Sequence, residues 1–209
     1  MLKDYIGVLL ALAGYTFTTW HERTLQQREG RIDRVNRQVR LLFGPLLACV
    51  NSSKAAYEAM AGQHGLPGRP EAFAHSIRSD PEGPEAQAYR RWMKEVLQPL
   101  NERAAALVFE HSDLLDAATI SPVLLRFIAH VAANRVMLSE WERGNLAAFS
   151  TIGFPDELHH LASSELKRVK GLQATLLGIP NDEPEGGGER GAAPAGGAAG
   201  AAGAPRSKL

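Results

Sequence analysis

The sequence predicts an all-α protein: an N-terminal transmembrane helix continuing into an amphipathic helix, then a bundle of about four further helices and a disordered C-terminal tail. Three observations support this. Apolar residues recur at spacings of three and four through most of the chain, the periodicity of amphipathic helices. No stretch between turn signals alternates with a period of two, so strands are not expected. An uncharged apolar run lies near the N-terminus, and a glycine- and alanine-rich run lies near the C-terminus.

The uncharged run extends from Tyr5 to Trp20, and an aromatic residue stands at each of its ends. A helix over residues 1–20 would be about 30 Å long, which matches the hydrocarbon thickness of a bilayer. Tyrosine and tryptophan are enriched where a span meets the lipid headgroups. We therefore predict a membrane anchor with Tyr5 and Trp20 as membrane-interface residues.

A basic stretch follows this run. Six arginines lie within twenty residues after Trp20: Arg23, Arg28, Arg31, Arg34, Arg37 and Arg40. Before the run, only Lys3 and the amino terminus are positive, so the positive-inside rule predicts a cytosolic body. Arg23 and Arg28 are the predicted interface arginines, where attraction to anionic lipid contributes on the order of 1 kcal/mol per residue.

Two other interpretations of the N-terminus stay open. Ala11-Leu12-Ala13 resembles the A-x-A site of a cleaved signal peptide. Cleavage there would leave an unusually apolar new N-terminus, from Tyr15 to Trp20. The run is also diluted by glycine, threonine and tyrosine, which fits a buried helix of a soluble bundle.

Composition and periodicity divide the chain into four regions. The anchor at 1–20 precedes a basic amphipathic juxtamembrane helix at 21–43, a helical domain at 44–178 and a disordered Gly/Ala-rich tail at 179–209. The juxtamembrane helix carries an apolar stripe that either packs on its own domain or forms a coiled-coil seam. The stripe consists of Leu25, Ile32, Val35, Val39 and Leu42.

Proline and glycine mark the predicted helix boundaries. Gly44-Pro45 is expected to end one helix and begin the next. Pro99 is expected to kink or split its helix just upstream, because proline lacks the N–H that the helix needs. Ser121-Pro122 combines an N-cap serine with a proline at the first helical position, which predicts a helix start.

Charge and cysteine content exclude several classes of function. Among 209 residues, 23 are basic and 23 acidic, so the net charge is zero. No overall field attracts nucleic acid, and we expect none as a partner. A single cysteine, Cys49, rules out an intramolecular disulfide and a multi-cysteine metal site. Cys49 lies in the apolar run LLACV and is expected in the core.

The last three residues are Ser207, Lys208 and Leu209, and they match the peroxisomal targeting signal that a receptor reads at a free carboxyl terminus. The tail before them lacks large apolar residues, so it is expected to be disordered and to present the signal. A membrane anchor conflicts with import into the matrix. A peroxisomal membrane location and a soluble peroxisomal matrix protein therefore both stay open.

An enzyme is a further alternative. It would use His111, Asp113 and His130, if two helices bring these groups into one pocket. Each histidine is more often a hydrogen-bonded core residue than a catalytic base. No nucleotide-binding, nucleophile-elbow or zinc-protease motif is present. We therefore predict no catalytic residue and no cofactor.

Two histidines have the spacing of a metal-binding motif. Asp156-x-x-His159 and Glu157-x-x-His160 match the acid-x-x-His spacing of di-iron bundles, which require two such motifs and further glutamates. No second acid-x-x-His motif occurs on the other predicted helices. The two acids also suit a helix N-terminus, so no metal site is predicted.

Five segments resemble a family of uncharacterised proteins with one N-terminal membrane span: RIDRVNRQVRLLFGPLLA, RRWMKEVLQPLNERA, EHSDLL, AHVAANRV and LKRVKGLQATLLG. The resemblance covers residues 1–178 and implies a topology but no activity. The function expected is a non-catalytic interaction or scaffold module on the cytosolic face of a membrane. Its expected partners are membrane lipid and, through its helices, another protein or a second copy.

Overall fold

The computed structural model describes residues 2–64, 70–116 and 119–179. Within these ranges the chain is helical, with connecting turns and no strand, which confirms the all-α prediction. The helices are α1 Leu2–Arg37, α2 Gly44–His64, α3 Pro70–Ser79, α4 Pro84–Trp92, α5 Gln98–Glu110, α6 Pro122–Glu142 and α7 Glu157–Leu177. Two π-helical segments and a 3₁₀ turn supplement them: Gln38–Phe43, Met93–Leu97 and Ser112–Leu114.

Gly44-Pro45 does not break the helix, so that prediction was wrong. α1, the first π-helical segment and α2 follow one another without interruption from Leu2 to His64. Proline has no N–H, and its ring would clash with the carbonyl four residues earlier. The turn widens instead, and the Gly44 N–H donates to the Val39 carbonyl five residues back. A Cβ at Gly44 would lie 2.6 Å from the Val39 oxygen, so this close approach requires glycine.

Pro99 is accommodated in the same way. α4, the second π-helical segment and α5 are continuous from Pro84 to Glu110, so the helix is not split. The Gln98 N–H donates to the Met93 carbonyl, again five residues earlier. In both places a π-helical turn directly precedes the proline, and the helix continues through it.

The predicted helix start at Ser121 is confirmed, and α7 ends at a glycine. The Ser121 side chain accepts a hydrogen bond from the Val123 N–H at 3.3 Å, and Pro122 opens α6. At the end of α7, Gly178 adopts a φ of 71°, a left-handed conformation that favours glycine. The Ile179 N–H then donates to the Ala174 carbonyl at 3.0 Å, which closes the helix end.

Three apolar clusters form the interior of the described chain. The first joins α2, α5, α6 and α7, and its largest buried members are Leu46, Phe127 and Leu158. The second joins α2, α3, α6 and the continuous helix from α4 to α5, around Met60, Phe73, Met93 and Met137. The third fixes the end of α1 and the first π-helical segment to α7, through Val35, Leu42, Phe43, Leu114 and Val169.

Cys49 lies in the first cluster, as expected, and is 7% exposed. Burial raises the pKa of its thiol, and the nearby charge of Arg103 opposes this only in part. The thiol is therefore a protonated core group, which has little nucleophilic reactivity.

Candidate functional site

The candidate site is the N-terminal half of α1, which projects from the body. At about 1.5 Å per residue, α1 is about 54 Å long. Residues 14–30 are exposed, apart from a half-buried Thr19. Nη2 of Arg28 donates to the Leu176 carbonyl of α7 at 2.9 Å. The exposure of residues 14–27 therefore shows that this part of α1 extends beyond the packed body.

Large apolar side chains cover the projecting segment. Their exposed fractions are 60% for Leu12, 69% for Tyr15, 65% for Phe17 and 64% for Trp20. The Phe17 ring lies 6.5 Å from the Trp20 ring and stacks on His21 at 6.3 Å. Several large exposed apolar side chains in one segment make it a candidate site for a protein or membrane interaction. The side chain of Tyr5, the other predicted interface residue, lies outside the described part.

Threonines in this segment satisfy their hydroxyls within the helix. Thr18 Oγ1 donates to the Gly14 carbonyl at 3.0 Å, and Thr19 Oγ1 donates to the Tyr15 carbonyl at 2.8 Å. A hydroxyl bonded to its own helix needs no water partner, so it costs less in an apolar environment than an unpaired one.

Among the described residues, no helix combines the length and the mean hydropathy that crossing a membrane requires. Of the predicted transmembrane helix, the structure supports a long helix with exposed apolar side chains in its N-terminal half, and it does not support a membrane span.

Three of the six arginines that follow Trp20 are bound to the body. Besides Arg28, Arg34 lies 3.4 Å from Asp116 Oδ1, and Arg37 lies 3.6 Å from Asp113 Oδ2. The other three make no hydrogen bond or ion pair with any described residue: Arg23, Arg31 and Arg40. Of the two predicted interface arginines, Arg23 is thus free for another partner, whereas Arg28 also holds α7.

A polar cluster fixes the projecting helix to the body. Asp116 accepts hydrogen bonds from Arg168 of α7 at 2.6 Å and from Gln38 at 2.9 Å. Gln38 is 1% exposed and also donates to the Leu114 carbonyl at 2.7 Å. Burial pushes the pKa of Asp116 up, but the hydrogen bonds from Arg168 and Gln38 outweigh burial and lower it. We call Gln38, Asp116 and Arg168, with Arg34, the clasp.

His130, one of the histidines in the enzyme alternative, is 8% exposed and has both ring nitrogens engaged. Its Nδ1 lies 2.7 Å from the Ile152 carbonyl, and its Nε2 lies 3.0 Å from Nδ2 of Asn134. The carbonyl can only accept, so the ring proton is on Nδ1, and Nε2 accepts from the amide. Burial lowers the pKa of His130, although the bond to Ile152 opposes it. The imidazole is a neutral structural group.

The other two residues of the enzyme alternative lie elsewhere. His111 caps the C-terminus of α5, and Asp113 lies in the 3₁₀ turn with its carboxylate directed to Arg37. Among the contacts of the described residues, none joins either of them to His130. The structure therefore does not assemble the three groups into one hydrogen-bonded site.

The acid-x-x-His pairs lie at the start of α7. His159 and His160 are exposed, and Glu157 pairs with Arg126 of α6 at 3.0 Å. Within the described ranges, no three His, Cys, Asp or Glu side chains are placed to hold a metal ion. An open cleft of about 520 Å³ lies beside the ion pair of Glu157 and Arg126. It is lined by Arg126, Gly153, Phe154, Pro155, Asp156 and Glu157.

Sequence reasoning missed the clasp. Gln38 falls on the apolar stripe between Val35 and Leu42, and a polar residue in that position was the available signal. Asp116 gave no signal, because its partners lie 78 and 52 residues away along the chain.

No known protein family, curated protein or solved structure matches this chain. The resemblance to a family with one N-terminal span therefore stays a prediction. The peroxisomal signal at Ser207, Lys208 and Leu209 also stays a prediction, and it lies with the predicted disordered tail outside the described residues, apart from Ile179.

Proposed function

We propose that this protein is a single-pass membrane protein in which α1 anchors a non-catalytic helical interaction module on the cytosolic face. The observation that carries the proposal is the projecting half of α1 with its exposed apolar side chains. Covering a large apolar side chain contributes about 1.5–3 kcal/mol. Leaving Leu12, Tyr15, Phe17 and Trp20 in water therefore forgoes several kcal/mol that a membrane would supply.

The distribution of these four side chains favours lipid over a single protein partner. At about 100° per residue, Leu12, Tyr15, Phe17 and Trp20 spread over more than half of the helix circumference. One partner helix would cover only a stripe, whereas lipid surrounds the whole helix. The internal bonds of Thr18 and Thr19 suit the same environment, because backbone and side-chain polar groups in a bilayer must be satisfied within the protein.

Charge placement supports a cytosolic body. The uncharged stretch from Tyr5 to Trp20 would be about 24 Å long as a helix, so a thin bilayer or snorkelling of Lys3 completes the fit. All six arginines lie on the body side of Trp20. The positive-inside rule then keeps the body with the arginines on the cytosolic side.

Contacts in the body support an interaction role over catalysis. The candidate catalytic groups are engaged structurally, since Asp113 pairs with Arg37 and both nitrogens of His130 are bonded. The outer face of α6 also carries exposed apolar residues three helical turns apart, Leu125 and Val136. Such a face is a candidate surface for a protein partner.

A charge-substitution experiment on full-length protein with phosphatidylcholine and phosphatidylserine vesicles tests the proposal. The test variant is Leu12→Lys with Phe17→Lys, because each lysine within a span costs about 2.5–3.5 kcal/mol. The matched control is Phe109→Lys with Val136→Lys, which changes body residues that are 64% and 65% exposed. After alkaline carbonate treatment, wild type and control should float with the vesicles and the test variant should not. Equal flotation of both variants would contradict the proposal.

A further inference from the structure

We infer that the C-terminal end of α7 forms a second membrane contact, in which Leu177 and Ile179 enter the headgroup layer beside α1. This inference rests on the proposed anchor. It adds a docking surface for anionic lipid on the body itself, and it determines how the body stands on the membrane.

The first step is the direction of α7. Gln173 Nε2 donates to Asn36 Oδ1 at 2.6 Å, and three residues later the Leu176 carbonyl accepts from Arg28 at 2.9 Å. Moving towards the end of α7 thus means moving back along α1. The two helices are antiparallel, and the tip of α7 points to the side from which the apolar half of α1 projects.

The second step is the tip itself. Leu177 is 48% exposed and Ile179 is 55% exposed. The left-handed Gly178 and the bond from the Ile179 N–H to the Ala174 carbonyl hold Ile179 in a defined turn at the helix end. Two large apolar side chains are therefore fixed at the end of the body that faces the proposed membrane.

The third step is height. Arg28, whose side chain reaches the Leu176 carbonyl, is eight residues beyond Trp20 and so about 12 Å further along α1. The headgroup layer is about 5–8 Å thick on each side of the hydrocarbon. Leu177 and Ile179 lie closer to the membrane than Leu176, and a helix tilt of about 20° towards α7 brings them closer still. The tip is therefore the end of α7 that is turned towards the headgroup layer.

The fourth step is charge, which favours anionic lipid as the occupant over a second copy of this chain. Arg23 and Arg31 make no hydrogen bond or ion pair with any described residue, and both lie near this end of the body. Lys170 is exposed on the same face of α7 as Leu177, two turns earlier. Apolar side chains flanked by unpaired basic groups are the chemistry by which surface segments bind anionic bilayers.

Depth measurements with an environment-sensitive fluorophore test the inference. Each full-length variant carries Cys49→Ala and one new cysteine labelled with NBD, at Leu12→Cys, Ile179→Cys or Val136→Cys. Cys49 is buried, so a parallel set that keeps it shows whether its removal perturbs the fold, which circular dichroism monitors. The vesicles contain phosphatidylcholine and phosphatidylserine, with or without headgroup-level spin-labelled lipid as quencher.

We expect vesicles to shift the emission to the blue at positions 12 and 179 but not at 136, and the headgroup-level quencher to act at 179, because position 12 lies in the hydrocarbon. Response at 12 without response at 179 would overturn this inference and leave the anchor standing. A lack of response at 12 would overturn the anchor and this inference together. Equal response at 136 and 179 would show that the body lies on its side, which also contradicts a contact confined to the α7 tip.

Discussion

At Gly44 the backbone approaches itself more closely than any side chain allows. A Cβ there would meet the Val39 carbonyl oxygen at 2.6 Å, and neither group is a flexible side-chain end that could move aside. The carbonyl is also held, because it accepts the Gly44 N–H across the widened turn. The sequence therefore needs glycine before Pro45 for a steric reason and not to end a helix.

We predict that Gly44→Ala lowers the free energy of unfolding by about 1–3 kcal/mol, the cost of forcing extra volume into a packed site. Gly171→Ala in α7 is the matched control, since a Cβ there meets nothing within 4 Å. The control should stabilise the protein by up to about 1 kcal/mol, because alanine is the better helix former. Urea denaturation measures both, and a neutral or stabilising Gly44→Ala would contradict the steric account.

His130 makes stability depend on pH in a direction that follows from its environment. Burial lowers its pKa in the folded state, so below the ordinary value of about 6.5 the unfolded chain binds the proton more readily. The contribution of neutral His130 to the free energy of unfolding is therefore fully present above about pH 6.5. It is lost as pH falls through the lower pKa of the folded state.

We predict that His130→Gln reduces the loss of unfolding free energy between pH 7.5 and pH 5.5, whatever its effect at pH 7.5. His159→Gln, at an exposed site of α7, is the matched control for replacing one histidine by glutamine. Urea denaturation at both pH values gives the slopes. If His130→Gln retained the full wild-type slope, the titration would have to be assigned to another group.

Among the secondary-structure elements, the clasp holds α1 against α7. Asp116 receives hydrogen bonds from Arg168 and Gln38 at 2.6 and 2.9 Å, and Arg34 lies at 3.4 Å. Because the Asp116 and Arg168 side chains are 43% and 44% exposed, solvent limits the contribution of their ion pair to about 1 kcal/mol or less.

We predict that Asp116→Asn increases amide hydrogen exchange in residues 28–37 of α1. Relative to wild type, the variant should lose unfolding free energy above about pH 4, the ordinary pKa of an aspartate. The difference between the two proteins should shrink as pH falls further. The reason is that the folded-state pKa of Asp116 is lowered, so its stabilisation is lost when the carboxylate is protonated in the folded protein. Asp113→Asn is the control, because its carboxylate is 60% exposed and 3.6 Å from Arg37. Similar effects of both variants on exchange would argue against the clasp.

The two prolines show what local sequence rules predict about an element and what they do not. From the sequence, Gly44-Pro45 was expected to end a helix and Pro99 to kink or split one, because proline does not fit a regular α-helical turn. The local rules could not decide between ending the helix and widening it, since that choice depends on tertiary packing. Leu42 and Phe43 are buried on one side of Pro45, and Leu46 is buried on the other, so a continuous helix keeps all three in the core.

For the whole molecule, the all-helical fold followed from periodicity, because amphipathic faces are local patterns. Periodicity also predicted that Val35 and Leu42 share an apolar stripe. It could not predict that this stripe packs on α7 of the same chain, as it does, and does not form a coiled-coil seam. Contacts between distant parts of the chain carry no local signal. The partners of Gln38 in the clasp and the antiparallel docking of α7 on α1 were therefore not predictable, and neither was the hydrogen bond between His130 and the Ile152 carbonyl, 22 residues away along the chain.

The central claim is that α1 resides in a bilayer while the helical body stays outside it. Alkaline carbonate extraction of cell membranes tests this most directly, by comparing full-length protein with a variant lacking residues 1–20. Full-length protein should stay in the membrane pellet, and the variant should move to the supernatant while keeping its helical circular dichroism spectrum. Release of the full-length protein by carbonate would contradict the claim.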